Sequence, residues 1–87
     1  VSERSQQQRE VSKSRGWAAL VLLLREKTQH EIHDECGVHQ SSLSKFVNLT
    51  KLPGRVDALR LLRYGIEVAW WDVPPTKAQL RELEAAA

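Results

Sequence analysis

One cysteine, three prolines and four glycines are spread over 87 residues, and no apolar run exceeds eight. The lone Cys36 excludes an internal disulfide framework. An unpaired cysteine fits a reducing compartment, so the chain reads as intracellular. The longest apolar stretch, 17–24, falls far short of the ~20 residues a bilayer-spanning helix needs. No secretory signal is visible, and the first residue is Val1 rather than Met, which reads as a processed or excised piece. Charge of one sign is also scarce: 13 Lys and Arg against 11 Asp and Glu give a net charge of +2. A basic surface, if there is one, must therefore be local. The length allows one domain of modest stability, burying roughly 60% of the surface its unfolded chain exposes.

The chain carries helix starts and stops but no convincing strand and no internal repeat. Residues 1–15 are polar and basic, with Arg4, Arg9, Lys13 and Arg15 against Glu3 and Glu10. They read as a frayed arm, or as a short helix with Ser5 and Gln8 at capping-box spacing. Gly16 precedes a helix expected over 17–26, with Trp17, Leu20, Val21 and Leu24 on one face and Leu22 and Leu23 well off it. A helix apolar on more than one side is buried on more than one side, here against the N-terminal segment, the C-terminal helix or another subunit.

Thr28 and Glu31 form a capping box before Ile32, and Gly37 supplies the stop, predicting a helix over 29–36. A second follows over 40–48, after the turn Gly37-Val38-His39. A third covers 55–64, with Val56, Ala58, Leu59 and Leu62 expected inward and Gly65 ending it. A short turn of helix spans 67–71, and Pro74-Pro75 halts it. Thr76 and Gln79 repeat the capping-box spacing and open a last helix with Leu80 and Leu83; the final 83–87 reads as partly vector-derived. The domain boundaries that follow are 1–15, 16–73 and 74–87.

The informative stretch is 28–48, two short helices joined by a tight turn with a glycine at its entry, as a helix-turn-helix requires. In the second helix Leu43, Phe46 and Val47 are spaced to face the core. Gln40, Ser41, Ser44, Lys45 and Asn48 form the opposite stripe, which contains no acid and no large apolar group. An ordinary solvated face would usually carry glutamate as well. Gln and Asn can pair bidentately with adenine N6 and N7, Lys can reach guanine O6 and N7, and serine hydroxyls serve base or phosphate. Lys51 and Arg55 follow as candidate phosphate contacts, and Lys13, Arg15 and Arg9 as contacts from the arm.

This segment resembles the lambda-repressor-like (phage repressor and Cro) helix-turn-helix domains over residues 17–73. The resemblance rests on Thr28-Gln29, Gly37-Val38, Gln40-Ser41, Leu43 and Gly65-Ile66. It implies an all-α, five-helix DNA-binding bundle with an additional C-terminal helix. The function implied is that of a cytoplasmic, bacterial or phage-encoded transcriptional repressor, a homodimer on a pseudo-palindromic operator. It further implies that Gln29 contacts a phosphate and steadies Gln40. Two departures stand out. His33 occupies a position where the family has a small residue, implying a shifted helix crossing or a ring slid toward solvent. The loop before Thr28 is also short. By the family pattern Val68 and Trp71 turn inward and Trp70 stands at a polar position, so Trp70 is either a dimer contact or covered by the helix after Thr76.

Other readings are weaker. His30, His33, Cys36 and His39 are zinc-ligand types, but a structural site needs four that converge. Cys36 reads instead as a small buried hydrophobe with histidines at the surface. Cys36 and a histidine do not make an enzyme without a glycine-rich loop, an oxyanion site or room for a substrate. No catalytic residue, metal or cofactor is expected. The serious alternative is a protein-interaction module of the same fold, antitoxin-like or an assembly partner, using the Trp70 surface.

Overall fold

The computed structural model describes residues 12–85, and among these all regular structure is helical, with no strand. The order is α1 (Arg15–Leu23), α2 (Gln29–Cys36), α3 (Gln40–Val47), α4 (Arg55–Leu61), two 3-10 turns (Leu62–Tyr64 and Val68–Asp72) and α5 (Lys77–Ala85). The Ser5–Gln8 capping spacing and the arm residues Arg4 and Arg9 lie outside the described residues. Among the described residues no helix is long and apolar enough to cross a membrane.

α1 begins earlier than the glycine at 16 implies. Ser14 is extended, and its Oγ accepts from the Trp17 amide at 3.1 Å, which satisfies one of the free N–H groups of the first turn. Gly16 is therefore inside the helix, buried against the Trp71 ring. Ala18 and Leu20 are fully buried, whereas Trp17, Val21, Leu22 and Leu23 are half-buried. The apolar character all round α1 follows from its neighbours: the Val68–Asp72 turn, α3 and α5 all pack on it.

α2 opens with the full capping box. Glu31 N donates to Thr28 Oγ1 at 3.1 Å and Thr28 N donates to Glu31 Oε1 at 2.8 Å. It ends at Gly37, whose φ of 86° is the left-handed conformation that lets the chain turn sharply into α3. The carbonyls left free there are taken by arginines from the α4 region: Arg60 Nη1 donates to Gly37 O at 3.1 Å, and Arg63 donates to Glu35 O.

α4 buries Ala58 and Leu61. Val56, Leu59 and Leu62, expected inward, face solvent at 61, 52 and 44% exposure. A seven-residue helix with two apolar stripes can bury only one, and the narrow stripe through the small Ala58 allows the closer approach. Val68 is likewise exposed, while Trp71 is buried. Leu20, Ile32, Val38, Leu43, Phe46, Leu61 and Ile66 complete the core, each fully buried side chain stabilising by about 1.5–3 kcal/mol relative to an exposed one.

α5 repeats the capping box, with Gln79 N to Thr76 Oγ1 at 3.1 Å and Thr76 N to Gln79 Oε1 at 3.0 Å. Gln79 Nε2 also donates to Arg15 O, and the Arg25 guanidinium donates to Glu82 O and Leu83 O. These ties at both ends hold α5 alongside α1 and running in the same direction.

Candidate nucleic-acid interface

α3 is divided by face as its sequence predicts. Leu43 and Phe46 are buried and Val47 is half-buried. On the opposite side Gln40, Ser41, Lys45 and Asn48 are exposed and Ser44 is half-buried. Lys51 and Arg55, beyond the end of α3, are exposed too. The helix is anchored from behind: Trp17 Nε1 donates to Val47 O at 2.9 Å, and Phe46 meets Trp71 with ring centroids 6.3 Å apart. The Lys13 ammonium lies 5.4 Å from the centroid of the Trp17 ring, within cation–π range. This brings Lys13 to the C-terminal end of α3.

The first turn of α2 reaches across to the stripe through two side chains. Ser44 Oγ donates to Gln29 Oε1 at 3.3 Å, whereas Gln40 Nε2 lies 3.2 Å from His30 Nδ1. The resemblance implies that Gln29 steadies Gln40; in the structure Gln29 meets Ser44, one helical turn further along, and the side chain bonded to Gln40 is its neighbour His30. His30 Nε2 is also 3.2 Å from Asp34 Oδ2. A carboxylate only accepts, so Nε2 donates to Asp34, and in the tautomer hydrogenated at Nε2 alone Nδ1 accepts from the Gln40 amide.

His33 slides outward. Its Nδ1 is 3.2 Å from Val38 O, and its ring stacks on His39 with centroids 5.2 Å apart. Together with Gln40 and Ser41 these rings border a shallow hollow of about 220 Å³ at the start of α3. Cys36 is half-buried, and among the described residues no group of three or more His, Cys, Asp and Glu side chains is placed to hold a metal ion.

The far end of α2 is fixed by a charged cluster. Glu35 Oε2 accepts from Lys27 Nζ at 2.9 Å and Glu35 Oε1 from Tyr64 OH at 2.7 Å. The hydrogen bond from Lys27, then that from Tyr64, holds the Glu35 carboxyl below its usual range. The same bond holds the Lys27 ammonium above its own. Burial first, and the Glu35 contact second, push the Tyr64 phenol up.

Two further residues singled out from the sequence meet each other rather than the stripe. The Arg15 guanidinium stacks over the Trp70 ring at 3.9 Å, and the Arg15 amide donates to Val73 O at 2.7 Å. Trp70 is thus half-buried under Arg15. The open apolar surface lies beside α4 instead, where Leu52 before the helix, Leu59 on it and Val68 in the following turn line an open cleft of about 420 Å³ with Trp71 among its walls. Arg55 and Asp72 also line it. Nothing in the spacing marked His30 as the partner of Gln40, because that contact depends on how α2 and α3 cross.

Compared with models of known protein families, with curated proteins and with solved structures, the chain finds no match.

Proposed function

We propose that the chain is a sequence-specific double-stranded-DNA-binding domain of the lambda-repressor-like type, a transcriptional repressor that binds rather than catalyses. The observation that carries this reading is the acid-free polar stripe of α3, Gln40, Ser41, Ser44, Lys45 and Asn48, held outward by a buried apolar underside. α2, the turn at Gly37 and α3 then act as a helix-turn-helix, with α3 in the major groove. Lys45, Lys51, Arg55 and Lys13 supply local positive charge in a chain of net charge only +2, and their targets are phosphates on either side of the groove.

A second copy is the occupant we assign to the α4 cleft. Three large apolar side chains that line it, Leu52, Leu59 and Val68, are 40–52% exposed, and Val56 and Leu62, at the start of α4 and just past its end, are 61 and 44% exposed, an apolar surface of the kind that marks an interaction site. The operator is then pseudo-palindromic, with half-sites about 34 Å apart. The same cleft also supports the other reading, a protein-interaction module.

The deciding experiment is selection of bound duplexes from a randomised DNA pool, followed by sequencing. Recovery of a twofold-symmetric motif is the expected result; recovery of no motif at all discards DNA reading in favour of the interaction module.

A further inference from the structure

We infer that His30 determines which base Gln40 reads, a step that rests on the DNA-binding reading above. The primary amide of Gln40 has two hydrogens and one acceptor oxygen. His30 Nδ1, 3.2 Å away, takes one hydrogen. The second hydrogen and Oε1 are left side by side facing outward, a donor next to an acceptor. Adenine presents the complementary pair in the major groove, N7 as acceptor and N6–H as donor. His30 therefore presets Gln40 for adenine before the duplex arrives.

The test has two arms. In the free protein, the side-chain amide resonances of Gln40 should shift in His30→Ala and hold their positions in His30→Asn, whose amide oxygen can stand in for Nδ1. Gln40 amide resonances unmoved by His30→Ala would overturn the inference without any reference to DNA. In the second arm, affinity is measured at fixed salt and pH for operators carrying each of the four base pairs opposite Gln40. The unaltered chain should prefer adenine by roughly 5- to 150-fold, the range of one bidentate pair. His30→Ala should discriminate poorly, and His30→Asn should keep the adenine preference. Gln40→Ala should remove the preference altogether. Persistence of the adenine preference in His30→Ala would sink the role of His30 while leaving DNA binding intact. Failure of the unaltered chain to bind any duplex selectively would instead sink the DNA-binding reading itself, and the inference with it.

Discussion

Gly16 lies directly against the face of the Trp71 indole, so close that a Cβ at position 16 would stand 2.5 Å from Trp71 Cδ2 and 2.8 Å from Cε2 and Cε3. Trp71 in turn meets Phe46 on the underside of α3. The bare backbone of α1 thus sets how deep Trp71 enters, and Trp71 helps set where α3 stands.

Gly16→Ala should accordingly destabilise the fold although alanine is the better helix former. The helix gains about 0.5–1 kcal/mol from the substitution, but forcing a methyl into a rigid, buried ring costs about 1–3 kcal/mol. The net loss should lower the melting temperature by several degrees, since 1 kcal/mol corresponds to ~4–8 °C at this size. Gly54→Ser is the control, because position 54 is an N-cap with open space around it. A thermal melt in which Gly16→Ala is as stable as the parent would show that Trp71 yields freely.

The Lys27–Glu35–Tyr64 cluster predicts how stability follows pH. Glu35 has its folded pKa depressed, so its contribution is present above the unfolded carboxylate value and is lost as pH falls through the folded one. Lys27 and Tyr64 have theirs raised. Their contributions are present below the ordinary values of 10.5 and 10.0 and fade as pH rises beyond them. Glu35→Gln should therefore melt earlier than the parent at neutral pH, with the gap closing toward pH 3. Melting curves from pH 3 to 7 check this; a gap that stays constant would show that the charge of Glu35 contributes nothing.

The capping boxes at Thr28–Glu31 and Thr76–Gln79, and the left-handed turns at Gly37 and Gly65, were legible because each is local chemistry at a fixed spacing. The apolar underside of α3 was legible for the same reason. Gly16 was misread as a helix boundary because its purpose is contact with Trp71, 55 positions away. The inward face of α4 was misread because Val56, Leu59 and Leu62 are larger than Ala58, and periodicity cannot say which stripe a neighbour will cover. The Trp70 environment depends on Arg15 in the same non-local way.

DNA affinity should fall as a power of salt concentration, through release of counterions from neutralised phosphates. Removing one phosphate contact should reduce the slope of log K against log salt by ~0.9. Lys45→Ala, Lys51→Ala and Arg55→Ala should each weaken binding and flatten the slope, whereas Lys77→Ala, on α5 outside the stripe, should leave it unchanged. Fluorescence titrations at several salt concentrations provide the measurement, and affinity indifferent to salt would end the case for DNA as the ligand.

The α4 surface makes the last prediction. Leu59 is 52% exposed on the cleft, so Leu59→Ser should cost the isolated fold little: the side chain is already half in water. In a twofold dimer the same substitution acts on both partners at once. An interface anchor commonly contributes ~2 kcal/mol or more, so the dimer should weaken by at least about 30-fold, with operator affinity falling and each half-site still recognised. Trp70→Ala makes the contrasting case. Its ring is held under Arg15, so its removal should lower the melting temperature more than it alters association. Sedimentation equilibrium and thermal melts on both variants separate the two surfaces. A dimer that survives Leu59→Ser but dissociates in Trp70→Ala would move the twofold contact from α4 to the Trp70 face.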